Sequence, residues 1–394
     1  MLRPAHIVQL AVVALLGIGV VMVHSASLHV GRQPVTEQGL LGMFMTRHTL
    51  YAGIAIAVML LASRINVREL FRHHGWTNPL WLIVLVALGL TAATLIPGVG
   101  VSVKGASRWL HLGPTSWGLT FQPSELIKWT IVLAIAWWCA RRRGVMHRFW
   151  HGLLPALLLI AVACALVVIE DWGTAALIGV VAICLLIAGG AKLWHMAMMA
   201  PPAIIAAVAM IIHSPYRVTR LTTFLDPWQD PAGAGYHSIQ SMLAIAQGGL
   251  TGRGLGNGIQ KFGYLPEDTT DFIFAVICEE LGLAGAGLVV ALYLVILWVG
   301  LGIVKDCRDT FARLVGLGAL LIVGLQAALN IAVVTVVVPT KGIALPLVSA
   351  GGTGWILTAF GLGLVAALDN ANYEQQAHDE FDALELTPVE VEPG

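Results

Sequence analysis

Charge is what this chain has least of. Asp, Glu, Lys and Arg make up 11% of its 394 residues, against roughly 25% in a soluble globular domain. So little polar side chain cannot cover a soluble enzyme or keep a long chain disordered, and it excludes a nucleic-acid partner bound through bulk positive charge. Cysteine motifs are missing as well. Cys139, Cys164, Cys184, Cys278 and Cys307 form no CxxC pair and no Cys/His ligand spacing, so neither a disulfide framework nor a zinc site is indicated. No Lys or Arg follows Lys341, and eight of the 22 acids crowd between Asp369 and Glu392. The formal net charge of zero is therefore a basic body offset by an acidic tail.

What the chain has instead is apolar residues, 58% of it, in long runs. A bilayer core about 30 Å thick needs roughly 20 mostly apolar residues per helix. On that measure the sequence predicts an all-α polytopic membrane protein with ten transmembrane helices, near 7–25, 47–63, 80–97, 122–140, 152–169, 172–190, 194–213, 283–304, 311–338 and 352–369. The first run exceeds the roughly 7–15 apolar residues of a signal peptide, so it reads as an uncleaved helix. With the N-terminus cytoplasmic, the inner segments carry twelve Lys and Arg and the short outer loops five. That is the positive-inside arrangement, and an even helix number puts the C-terminus in the cytoplasm too. The expected organisation is a membrane body over 1–370 and an acidic, disordered cytoplasmic tail over 371–394. Two outer segments exceed ordinary turns: about 98–122, and a large extracytoplasmic loop of about 214–272 between helices seven and eight. Long ordered loops carry function more often than not, so the chemistry is sought there.

The second loop opens with Arg217 and Arg220 and continues into a stretch with Ile239, Met242, Leu243 and Ala246. That spacing predicts an amphipathic helix lying on the outer membrane surface. The glycine-rich run from Gly252 to Gly258 has no strand before it and no Lys-Ser/Thr after it, so it reads as flexible backbone and not as a nucleotide loop. Asp271 opens an apolar helical run, where a carboxylate suits the helix N-terminus. Helix capping alone would explain an isolated Asp, but Glu267, Asp268, Asp271, Glu279 and Glu280 fall close together in an acid-poor chain. Ionisable groups at membrane depth are functional candidates. The first loop supplies opposite charge with Lys104 and Arg108, followed by Trp109, and Glu125 and Lys128 stand three residues apart on one helical face. That pair reads equally as an intramembrane ion pair or as a substrate contact. A third outer turn around Lys341 ends in small residues that permit close helix packing.

Together these segments resemble the SEDS family of shape, elongation, division and sporulation proteins, which includes RodA, FtsW and SpoVE. GASRW, FQPSELIK, FLDPWQDPAGAGY, YLPEDTTDFIFAV with EELG, and PTKGIALPLVSAGG occur in the family's order, over roughly residues 5–370. FLDPW, QKFGYLPE and PTKG look more like the FtsW and SpoVE branch. The resemblance implies a peptidoglycan glycosyltransferase of the bacterial plasma membrane. Such an enzyme polymerises lipid II at the outer face beside a class B penicillin-binding protein that cross-links the strands. It places the family's essential aspartate on Asp271, its Arg-Trp pair on Arg108 and Trp109, and its QPSE acid on Glu125 with Lys128 as partner. Lipid II is an anionic diphosphate on an isoprenoid, so the enzyme needs a lipid-facing groove, cations for the leaving diphosphate and a base for the attacking hydroxyl. Asp271 is the expected general base, and Arg108, Arg217, Arg220 and Lys341 are the candidate cations. For each cation the alternative is an ordinary headgroup contact with membrane lipids. A divalent cation at the acidic cluster would fit the chemistry, although no ligand spacing demonstrates it and no metal ligand is assigned. The chain departs from the family at Thr269, where His is usual, and at Ala350-Gly351-Gly352-Thr353-Gly354, where the usual run is Tyr-Gly-Gly-Ser-Ser. It departs again at Glu170-Asp171-Trp172-Gly173-Thr174, where Pro-Asp-x-Gly-Thr is usual.

Two other functions fit ten helices. A lipid II flippase predicts ionisable residues lining a path through the bilayer midplane. A non-catalytic scaffold that recruits a transpeptidase predicts indifference to the loss of Asp271.

Overall fold

A computed structural model of the chain describes residues 3–27, 46–70, 78–103, 106–111 and 120–385. In chain order its first helices are α1 (Pro4–Ser27), α2 (Arg47–Ala62), α3 (Pro79–Thr94), α4 (Pro123–Arg141), α5 (Leu154–Glu170), α6 (Trp172–Ala188) and α7 (Leu193–Ile212). The loop helices α8 (Pro215–Leu225) and α9 (Tyr236–Gly248) follow, then α10 (Ile273–Asp306), α11 (Thr310–Val334) and α12 (Gly352–Glu385). Each expected apolar run lies on one of these helices. Their starts follow from local chemistry: Asn78 caps α3 ahead of Pro79, Asp171 caps α6 and Asp309 caps α11, each giving a free backbone N–H an oxygen. Among the described residues six helices are long and apolar enough to cross a membrane, and α2, α3 and α6 are shorter apolar helices. α4, at 19 residues, carries Glu125 and Lys128 near its start.

Side-chain bonds define the two ends of the bundle. At one, the Ala5 N–H donates to Asp369 Oδ2 at 3.2 Å, and the amides of Asn370 and Asn372 donate to the carbonyls of Ser63 and Ile303, both at 3.1 Å. At the other, Ser25 Oγ meets the Glu280 carboxylate at 2.8 Å, and Thr353 Oγ1 donates to the Thr120 carbonyl at 3.4 Å. α11 runs through the middle, packed on α4, α6, α10 and α12. α7 buries none of its residues and carries Pro201 and Pro202 internally.

Four details differ from the sequence-based expectation. The segment before α4 is not irregular: β1 (Gly100–Val103), β2 (Ala106–His111) and β3 (Thr120–Phe121) form a small antiparallel sheet in that order. α10 begins ten residues before the expected span, but Gly282 at φ 67°, ψ −165° breaks it there. The buried segment 273–280 thus precedes the kink, and the apolar run 283–304 follows it. α9 buries Ser238, Ile239, Ser241, Ala244 and Gly248, leaving Leu243 exposed. It packs on α10, where its small residues let the backbones approach, and Ser241 Oγ donates to the Val334 carbonyl at 2.6 Å. Finally, α12 remains helical to Glu385, past residue 370 where a disordered tail is expected; residues 386–394 lie outside those described.

Candidate functional site

Between α11 and α12 the chain leaves helical geometry over residues 335–351, and most of 343–349 is buried. Non-helical backbone at membrane depth persists only where its polar groups find partners inside the protein. Here side chains catch the carbonyls one after another. Arg220 Nη1 donates to Thr340 at 3.0 Å, Asn330 Nδ2 to Ile343 at 2.7 Å, and Gln326 Nε2 to Ala344 at 2.9 Å. Tyr293 donates to Pro346, and Trp355 Nε1 to Ser349 at 2.7 Å. The segment is thereby held against the turn that carries Asp271: the Ala350 N–H donates to the Thr269 carbonyl at 2.8 Å and Ser349 Oγ to the Thr270 carbonyl at 2.5 Å.

Asp271 sits where this turn enters α10, next to Phe272, whose buried ring stacks on His237 of α9. A Cβ placed on Gly342 would lie 3.0 Å from Asp271 Oδ2 and 4.0 Å from Arg108 Nη1. The Asp271 carboxylate and the Arg108 guanidinium therefore flank the same glycine. Arg108 Nη1 is also 3.7 Å from Asp171 Oδ2. Lys341, outside the spanning helices, places Nζ 3.7 Å over the ring of Trp172, a cation–π contact. Burial pulls its ammonium pKa below the usual 10.5, while Asp171 opposes that shift. Asp171 is the site residue that sequence reasoning missed. It is buried, caps α6 through the Thr174 N–H (3.0 Å) and Oγ1 (2.9 Å), and supplies the anion between Arg108 and Lys341. Its signal was present as an ionisable residue joining two apolar runs.

Glu125 and Lys128 pair at 2.8 Å, with the Lys128 side chain 1% exposed, and Lys128 Nζ also donates to Gln326 Oε1 at 2.8 Å. Arg220 reaches the site through Thr340, whereas Arg217 Nη1 donates to the Met210 carbonyl at 3.0 Å, at the end of α7. Trp109 follows Arg108 on β2, and the β1–β2 register shifts there, pairing Trp109 with Val101 and Ser107 with Ser102, so Arg108 sits at a bulge that re-aims its side chain. The acidic cluster divides: Glu279 and Glu280 both approach Gly258, while Glu267 turns to its own loop. Glu267 Oε2 accepts from Thr270 Oγ1 at 2.8 Å. Glu279 Oε1 accepts the Ile259 N–H at 2.7 Å, and Glu280 accepts from Lys261 Nζ at 2.7 Å and the Gly256 N–H at 3.0 Å. These two glutamates pin the glycine-rich loop to α10, so that loop is anchored where flexible backbone was expected. Among the described residues no three His, Cys, Asp or Glu side chains come together as a metal site.

A family model described as "Cell cycle protein", covering FtsW, RodA and SpoVE, matches residues 6–374. The chain belongs to this family. With its apolar spans, it is a multi-pass membrane protein. It is 37% identical over 369 residues to a protein from Thioalkalivibrio sulfidiphilus named "Probable peptidoglycan glycosyltransferase FtsW", covering 93% of this chain and 89% of that one. A Geobacter protein of the same name is 36% identical over 360 residues, 91% of this chain and 95% of that one. Among solved structures, a chain from a peptidoglycan synthase complex studied for the coordination of polymerization and crosslinking matches with a TM-score of 0.71. That match is at 25% identity, over 93% of this chain and 98% of that one. The rod shape determining protein RodA of Thermus thermophilus shares the fold, with a TM-score of 0.62 and 24% identity over 93% of this chain and 96% of that one. Within this family frame, two departures touch: Thr269 and Ala350, which replace the usual His and Tyr, are the residues joined main chain to main chain beside Asp271.

Proposed function

We propose that this chain is a peptidoglycan glycosyltransferase that polymerises lipid II into β-1,4 glycan strands at the outer face of the plasma membrane, in cell division or cell-shape maintenance. The observation that carries the reading is that the Asp271 carboxylate and the Arg108 guanidinium both flank Gly342, with Lys341 next in the chain. Asp271 acts as general base on the acceptor 4-hydroxyl. A single displacement at the α-linked donor carbon forms the β-1,4 bond as the carbon–diphosphate bond breaks, and the hydroxyl proton passes to Asp271. Arg108 and Lys341 stabilise the charge growing on the departing diphosphate. Asp171 orients both cations, and Arg220 steadies the segment bearing Lys341. Glu125 and Lys128 hold the start of α4 and, through Gln326, the far side of the same segment, while Trp109 lines the approach of the lipid-linked sugar. Arg217 is the cation left for a lipid headgroup.

The distribution of charge favours polymerisation over transport. No Asp, Glu, Lys or Arg occurs from Trp129 to Ala140 of α4, from Leu154 to Ile169 of α5, from Leu281 to Val304 of α10 or from Leu314 to Thr340 across α11. A path through the midplane therefore has no ionisable lining from these helices. The apolar runs support ten crossings, and the inner-loop bases support both termini in the cytoplasm with the site on the outer side. A class B penicillin-binding protein is the partner that cross-links the product. Incubating the purified chain with labelled lipid II, alone and with that transpeptidase, is the test. Long glycan strands support the reading, and unchanged lipid II in both reactions refutes it.

A further inference from the structure

Asn330 of α11 is 1% exposed, and its amide binds main-chain carbonyls. Its Nδ2 donates twice, to the Asp271 carbonyl at 2.8 Å and to the Ile343 carbonyl at 2.7 Å. The amide orientation is forced, since the reverse would set Oδ1 against two carbonyl oxygens. Among the described residues, Asn330 Oδ1 is then buried without a hydrogen-bond partner. An unsatisfied buried acceptor is unfavourable, so packing alone would favour a Leu of similar volume. The side chain is present for its two N–H groups. They join the turn carrying the Asp271 carboxylate to the residue after Gly342, the glycine that this carboxylate and Arg108 flank. One helical turn away, Gln326 fastens the next carbonyl, Ala344, and ties it to Lys128.

We propose that Asn330 is a positioning residue for polymerisation: its amide clamps the main chain of Asp271 to that of Ile343 and so sets the gap between the base and the Gly342–Lys341 segment. The proposal rests on Asp271 acting as the base, and two measurements on the full-length protein separate its failure from the failure of that reading. The first needs no activity. Cysteines replacing Asp271 and Gly342 report the separation of the two segments through the rate at which they form a disulfide; under mild oxidation the clamp predicts a rate at least tenfold higher with Asn330 present than with Asn330→Leu. The second is steady-state polymerisation of labelled lipid II. Asn330→Leu and Asn330→Asp each lower kcat at least tenfold while KM stays within threefold, because the residue does not reach substrate. The isosteric Asp does no better than Leu, since its carboxylate faces two carbonyls. Asn330→Ala serves in both assays if the Leu variant fails to fold. A cross-linking rate unchanged by loss of the amide overturns the proposal whatever the activity. So does a kcat at the level of the unaltered chain, or a loss expressed only in KM. If the unaltered chain makes no glycan, the catalytic reading falls and the cross-linking rate still decides the clamp.

Discussion

Substituting Gly342 by Ala isolates the geometry of the site from its stability. The added methyl would stand 3.0 Å from Asp271 Oδ2, whereas a carbon–oxygen contact relaxes at roughly 3.4 Å, so the carboxylate has to yield by about 0.4 Å. If a 1 Å misplacement costs about 100-fold in rate, a shift of this size costs roughly 5–10-fold, and the methyl also narrows the gap toward Arg108. Folding should hardly notice. Gly342 is exposed and its φ lies outside the left-handed region, so Ala restricts the unfolded chain and contributes about 0.4–1 kcal/mol against the strained contact. The assay is steady-state lipid II polymerisation beside a melting curve in the same detergent. Gly351→Ala, whose methyl would meet only the Ser349 carbonyl at 3.7 Å, is the control in the same segment. A Gly342→Ala protein that polymerises at the unaltered rate would refute the placement of the carboxylate. So would a loss of rate that merely tracks a fall in melting temperature.

Lys341 gives a pH test. Its ammonium pKa is lowered by burial, so a leaving-group cation is present at low pH and is lost as pH rises through a value below 10.5; the alkaline limb of kcat should fall there. Lys341→Arg should move that limb upward and Lys341→Gln should lower kcat roughly 100-fold at neutral pH. Lys261 and Glu280 are both fully buried, so Glu280→Ala strands an ammonium and should destabilise the fold by about 3–5 kcal/mol. Replacing both by apolar residues should restore much of the melting temperature.

The helices were legible because hydropathy is a local property: each apolar run became a helix, and caps such as Asn78 and Asp171 stand in the sequence at the starts. The site was legible as motifs but not as an arrangement. Asp271, Arg108 and Lys341 lie far apart in the chain, and nothing short of the fold shows that they share Gly342. Acid density misled at Glu279 and Glu280, because sequence proximity does not say which way a carboxylate faces; both turn inward to backbone N–H groups and Lys261. Gln326 and Asn330 are two isolated polar residues in an apolar span, with no motif around them. Their role depends on carbonyls of a segment whose path only the tertiary structure reveals. The small sheet before α4 escaped notice because three short strands leave little alternating pattern.

The central claim is that the Asp271 carboxylate takes the acceptor proton. The direct measurement is the rate at which purified Asp271→Asn protein polymerises labelled lipid II, with its fold verified by its melting temperature. Asn keeps the shape and removes the base, so the account predicts a loss of roughly 100- to 10,000-fold at an unchanged melting temperature. Polymerisation at the unaltered rate would contradict it.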